Sequence, residues 1–129
     1  MPKQIISTDT APAAIGPYSQ AVSVDAGGKT VFLSGQIGLV PGTGELVSDE
    51  FEAQVRQAFA NLTAVTQAAG GSLANVVKFT LFLTDLGEFA VVNRILGELV
   101  PQPFPARSTV GVSSLPKGAK FEVEAILVI

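Results

Sequence analysis

The sequence predicts an α+β fold: a single domain over residues 1–129, built as a mixed β-sheet with two helices packed on one face. Three observations predict it. Hydrophobic periodicity is strand-like three times, then runs helix, strand, helix, strand, strand, the order expected of one sheet layer against one helix layer. Each helical stretch carries a single apolar stripe, so each has one side to bury. No repeat, linker or low-complexity tract divides the chain.

Residues 2–6, "PKQII", form a short first strand, followed by the turn-rich "STDTAPAAIGPYSQ". "AVSVDA" (21–26) alternates as a strand, Gly27-Gly28 turn it, and "KTVFLSGQI" (29–37) is read as its hairpin partner. "PGTGEL" (41–46) is a loop. The stretch 49–69 is a helix with Phe51, Val55, Ala58, Phe59, Leu62, Val65 and Ala69 spaced by threes and fours. Ser48 or Asp49 is placed to cap it and Gly70-Gly71 to stop it. "NVVKFTLFLTD" (75–85) is β-branched and aromatic, hence a strand. Asp85 to Glu88 has the shape of a capping box. The helix it opens, about 86–99, carries Phe89, Val92, Leu96 and Leu99 inward and ends at Pro101, Pro103 and Pro105. "ARSTVGV" (106–112) and "KFEVEAILVI" (120–129) complete the sheet.

A chain of 129 residues suffices for one core. It is 47% hydrophobic and 15% charged, yet no apolar run approaches the roughly 20 residues of a membrane span. No basic segment followed by an apolar run opens it, so no signal peptide is expected and a cytoplasmic protein is the plain reading. The surplus apolar surface points to a subunit interface. Net charge is −3 with no Lys/Arg cluster, which disfavours nucleic acid as a partner. Cysteine and histidine are both absent, which removes thiol nucleophiles, the usual triads and most zinc sites. Any chemistry must run on carboxylates, Lys, Arg, Tyr, hydroxyls, amides and the backbone.

Side chains alternate across a strand. In 120–129, Phe121, Val123, Ala125, Leu127 and Ile129 form the core face, opposite Lys120, Glu122, Glu124, Ile126 and Val128. In 76–84 the core set is Val77, Phe79, Leu81 and Leu83. In 106–112 the more apolar set is Ala106, Val110 and Val112 with Ser108, which leaves Arg107, Thr109 and Gly111 opposite. Arg107 and Glu122 are therefore expected on one shared face with Phe32, Phe82, Ile126 and Val128. Charge mixed with aromatics suits a sheet face buried against another subunit, with polar pockets in the seam.

These residues are similar to those of a known family. "PARSTVGVSSLPKGAKFEVEAI", with "AIGPYSQAV", "LSGQI" and a "TGE" loop upstream and "NVVKFTLFLTDLGEFAVVN" between, resembles the RidA (YjgF) family of imine/enamine deaminases. The motifs run in order from about residue 3 to the end. The resemblance implies a chorismate-mutase-like fold, a homotrimer, clefts between subunits, and an imino or oxo acid as small-molecule substrate. By it, Arg107 holds the substrate carboxylate, Glu122 positions or activates water, and Tyr18, Ser34, Gly35, Asn93 and Thr109 line the site. The chain has Thr109 where many deaminating members have cysteine, and its stretch from Asn93 to Arg107 is shorter than is typical.

The implied reaction hydrolyses 2-imino acids, formed from enamines such as 2-aminoacrylate, to 2-oxoacids and ammonia, without metal or organic cofactor. An arginine fork fixes the carboxylate and orients the C=N bond. One carboxylate moves the water proton to the leaving nitrogen. Two plainer readings stand beside it. Arg107 pairs with Glu122 or Glu124 as a structural ion pair, or the protein binds small carboxylates or other proteins without turnover. The spacing of Glu122 and Glu124, about 6.5–7 Å along one face, also fits a glycosidase pair, but nothing else in the chain suggests a sugar site.

Overall fold

The computed structural model describes residues 3–25 and 27–129. Pro2 of the expected first strand and Ala26 of the second lie outside them. Strands β1 (Gln4–Ile6), β2 (Ala21–Ser23) and β3 (Thr30–Gln36) precede helix α1 (Phe51–Ala68). Then come β4 (Val76–Leu83), α2 (Phe89–Leu99), β5 (Ala106–Gly111) and β6 (Phe121–Val128). Among the described residues, β3, β6, β4 and β5 make the main sheet in that order, antiparallel except for the parallel pair β4 and β5. A parallel pair needs a long crossover, which α2 supplies.

The expected hairpin is not formed. β2 pairs with β1 in a separate two-stranded ribbon, Ile6 opposite Ala21 and Gln4 opposite Ser23, while β3 pairs with β6. The turn after β2 is real, with Gly27 at φ 109°, but the strands it joins diverge. Val31 and Leu33 are drawn beside Leu127 and Ala125 of the core strand. The N-terminal arm is tied elsewhere: Lys3 Nζ donates to the carbonyls of Val76 and Pro103 at 3.1 and 2.8 Å, and Ser19 N–H to that of Pro105 at 2.9 Å.

The core lies between the sheet and the two helices. Phe59 of α1 meets Phe79 edge-on at 5.8 Å and Phe121 at 5.9 Å, and Val55, Ala58, Leu62, Val92, Ile95 and Leu96 fill around them. The inner face of α1 runs Gln54, Ala58, Leu62, Thr66 rather than ending in Val65, which is 38% exposed. Gln54 is admitted because both ends of its amide are satisfied: Nε2 donates to Ser48 O and Oε1 accepts from Lys120 N–H, each at 2.9 Å. In α2, Ile95 takes the core place expected of Leu99, which is half-exposed at the helix end. Glu50 is the N-cap of α1, without a side-chain bond; the Ser48 hydroxyl accepts from the Glu50 N–H at 2.7 Å instead. The end of α1 follows expectation. Gly70 at φ 95° donates to Gln67 O and Gly71 to Thr66 O, the paired bonds of a Schellman stop. Asp85 caps a short 3₁₀ turn (Leu86–Glu88) before α2, its side chain accepting from Gly87 N–H at 2.8 Å.

A β-bulge in β4 shifts one expected core residue. Val76 pairs with Leu127 but Lys78 with Ile126, so Val76 is fully buried and Val77 is not. A second bulge lies in β3 at Ser34-Gly35, where pairing moves from Leu33–Ala125 to Gln36–Val123.

Candidate active site

Registered neighbours on adjacent strands project to the same side of a sheet. Arg107 is level with Phe79 and Thr109 with Leu81, both fully buried under the helices. Arg107 and Thr109 therefore lie on the helix side. Glu122 is level with Phe82, on the opposite side from Phe121 and Val123. The expectation that Arg107 and Glu122 share a face is thus overturned. Alternation within each strand was right, but its phase in β5 was not. The sequence reading placed Ala106, Ser108 and Val110 inward because they are the more apolar set. In the fold β5 is an edge strand beyond the densest core, so Val110 stays 40% exposed and Ser108 accepts from Lys78 Nζ on the outer face at 3.1 Å.

The first cluster is built around Arg107. Phe89 and Asn93 stand one turn apart on α2 and descend on the arginine. Asn93 Oδ1 accepts from its Nη1 at 2.8 Å. The guanidinium carbon lies 4.9 Å from the centre of the Tyr18 ring and 5.5 Å from that of Phe89, so two aromatic rings flank the cation. Gly16 brings the 11–20 loop close: a Cβ there would stand 3.6 Å from Arg107 Nη2 and 3.5 Å from Asn93 Nδ2.

Among the described residues no carboxylate comes within 4.0 Å of Arg107, which removes the structural ion pair with Glu122 or Glu124. Burial holds the guanidinium below its ordinary pKa, opposed by the nearby Tyr18 phenol, but an arginine stays charged throughout the physiological range. A half-buried cation with one of its five donors used by an amide calls for an anion. It faces a cavity of about 240 Å³ lined by Ile15, Tyr18, Phe89, Arg107 and Thr109. The Thr109 Oγ1 is buried and has no hydrogen-bond partner. Buried hydroxyls are ordinarily paired, so this one marks a place for a polar ligand atom beside the cation.

The second cluster is on the other face. The Ser34-Gly35 bulge lies over Glu122, and a Cβ on Gly35 would stand 2.8 Å from the Glu122 carboxyl carbon and overlap its Oε2. Only glycine admits the carboxylate there. Ser34 is exposed beside it.

The seven residues singled out in the sequence thus divide in two. Tyr18, Asn93, Arg107 and Thr109 come together on the helix side, and Ser34, Gly35 and Glu122 on the open side. Two lining residues were missed. Phe89 was read as ordinary helix core. Ile15 is a large apolar residue isolated in a polar turn, and that isolation was its only signal. Of the open face, Phe32 is 75% exposed and Phe82, Ile126 and Val110 are partly so, whereas Val128, expected among them, is buried.

Residues 8–129 match the family described as Endoribonuclease L-PSP. The 2-iminobutanoate/2-iminopropanoate deaminase of Dermatophagoides farinae is 49% identical over 99% of this chain and 98% of its own. The crystal structure of RidA from an Antarctic Psychrobacter is 52% identical, with TM-score 0.75 over 98% of this chain and 99% of its own. Escherichia coli TdcF with bound serine is 43% identical, with TM-score 0.70 and 98% coverage of both chains.

Proposed function

Given that the chain belongs to the Endoribonuclease L-PSP family, in its RidA/YjgF form, we propose that it hydrolyses reactive 2-imino acids and their enamine tautomers to 2-oxoacids and ammonia. Its substrates are 2-aminoacrylate, 2-iminopropanoate and 2-iminobutanoate, the class named for its Dermatophagoides relative. The observation that carries the proposal is Arg107, a half-buried cation without a carboxylate partner, flanked by rings and facing a cavity sized for a small acid.

In this reading the arginine fork takes the substrate carboxylate, and Asn93 fixes the fork's plane from behind. Tyr18 and Phe89 keep water from the guanidinium, which strengthens its hold on the anion. The Thr109 hydroxyl is the nearest unpaired donor for the substrate's nitrogen or the attacking water. Water adds to the imine carbon, giving up a proton to a carboxylate. The carboxylate returns that proton to the nitrogen, the C–N bond breaks, and ammonia leaves as the carbonyl forms. The imine carbon is already electrophilic, so positioning and one proton shuttle account for the chemistry.

That shuttle is Glu122 of a neighbouring copy. Within one chain Glu122 is on the wrong face of the sheet, so the site is completed between subunits, in a homotrimer that also covers the apolar face around Phe32 and Phe82. The cytosol is the compartment that fits, alongside pyridoxal-phosphate-dependent dehydratases that release such enamines. Nothing observed favours a binding module without turnover. A ribonuclease reading, suggested by the family's description, has no histidine and no basic surface to stand on. The test is to add the protein to a serine or threonine dehydratase and follow imine loss directly. Acceleration above the spontaneous rate is expected, and an unchanged rate would overturn the proposal.

A further inference from the structure

Ile15 is the most exposed large apolar residue in the described chain, at 86%, yet it lines the cavity over Arg107. Its position is not left to a slack loop. The Gln20 side chain braces the backbone of 8–12: Oε1 accepts from Thr8 N–H at 2.7 Å, and Nε2 lies 3.2, 3.5 and 2.6 Å from the carbonyls of Thr8, Ala11 and Pro12. Downstream, Ser19 N–H is held by Pro105 O and the Ser19 hydroxyl by Phe104 O. The Ile15 N–H points to the Tyr18 hydroxyl at 3.4 Å. Both ends of the segment are therefore fixed, and its apolar tip stands over the cation opposite Phe89.

The walls of this cavity are unequal. Arg107 and Thr109 present a cation and an unpaired hydroxyl, while Ile15 and Phe89 present only carbon. A 2-imino acid has two polar groups, the carboxylate and the C=N nitrogen, and one variable substituent on the same carbon. With the carboxylate on Arg107 and the nitrogen toward Thr109, the substituent is left to the carbon wall. We propose that Ile15 and Phe89 form the subsite for the substrate side chain, selecting short aliphatic substituents over hydroxylated ones, and that Gln20 is the positioning residue that sets Ile15 there. The inference rests on the carboxylate reading of Arg107, not on turnover.

Its test is a series of 2-oxoacids with methyl, ethyl, propyl and hydroxymethyl substituents, measured for affinity by calorimetry, with turnover of the corresponding imines measured in parallel. One methylene against an apolar wall is worth about fourfold in affinity. The wild-type chain is expected to bind the ethyl acid about fourfold more tightly than the methyl acid and the hydroxymethyl acid more weakly than the ethyl. In Ile15→Ala the ethyl-to-methyl ratio is expected to fall toward one while methyl-acid affinity stays within about twofold. Gln20→Ala is expected to lower the same ratio, and a purely structural role for Gln20 would leave it unchanged. Equal weakening of every acid in Ile15→Ala would overturn the subsite. Wild-type turnover that fails while the ratio persists would overturn the hydrolase reading and leave the subsite supported.

Discussion

Three side chains decide the chemistry of the site, and each fails in its own way when altered. Arg107→Lys keeps the charge but loses the planar fork, and lysine cannot span both Asn93 and a bidentate carboxylate. kcat/KM on a small imine is expected to fall by about 10²-fold or more, the cost of misplacing a reacting group, with fold and assembly intact by circular dichroism and sedimentation. An unchanged kcat/KM would remove Arg107 from the site. Glu122→Gln keeps the shape and loses the proton acceptor, so kcat is expected to fall by roughly 10²-fold or more while 2-oxoacid affinity holds. Glu124→Gln, level with Thr80 and away from Gly35, is expected to do much less. Equal effects would show that neither carboxylate is the shuttle. Gly35→Ala tests the same carboxylate from its neighbour. A methyl group there displaces Glu122, so activity should drop as in Glu122→Gln, with about 1–3 kcal/mol of overpacking cost in denaturant unfolding.

At the scale of elements, α2 matters twice, as the crossover that makes β4 and β5 parallel and as the carrier of Phe89 and Asn93. It is weakened by Gly97, which is exposed, has no atom within 4 Å of where a Cβ would stand, and is not held at positive φ. Gly97→Ala is expected to stabilise the chain by about 1 kcal/mol, read as a shift of the unfolding midpoint at constant slope. The two helices are also joined at the surface, where Glu52 accepts from Arg94 at 2.7 Å and Arg56 at 3.1 Å, and Glu98 accepts from Arg56 at 3.0 Å. Hydrogen bonds from Arg94, then Arg56, hold the Glu52 carboxyl below the usual carboxylate range. A depressed folded pKa gives stability above the unfolded value that is lost as pH falls through the folded one. The network is solvated, so Glu52→Gln should move the midpoint less than Gly97→Ala does, and less still in high salt.

At the scale of the whole molecule, the two half-sites on opposite faces make a prediction that no single-chain site makes. Chains carrying only Arg107→Lys are mixed with chains carrying only Glu122→Gln, unfolded together and refolded. In a ring with head-to-tail interfaces, about a quarter of the sites formed by random 1:1 assembly join an intact Arg107 to an intact Glu122. Activity should reappear to about that fraction. A mixture as inactive as its parents would mean that both residues serve one chain's site, and the cross-subunit reading would fall. Phe82→Glu, a charge on the face that the trimer covers, should dissociate the assembly and abolish turnover together. A fully active monomer at micromolar concentration in sedimentation would refute the assembly.

The sequence by itself determined which segments are helix and strand, their order, most of the core, and the list of residues worth suspecting. Those follow from local propensity, from periodicity and from runs such as "PARSTVGV" and "FEVEA" that survive without knowledge of the fold. It did not determine which strand pairs with which, since the Gly27-Gly28 turn is equally compatible with a hairpin and with the divergence that sends β3 to β6. It did not determine the phase of β5 or the bulges at Val76 and Gly35, because a shift of one residue reverses every side chain while leaving the alternation unchanged. Nor did it show Phe89 and Ile15 in the cavity, since a helix aromatic reads as core until the edge strand beside it proves to carry a cation. Tertiary structure alone put Arg107 under α2 and Glu122 on the far side of the sheet, because register is settled by long-range packing against Phe79 and Phe82, and no local pattern encodes it.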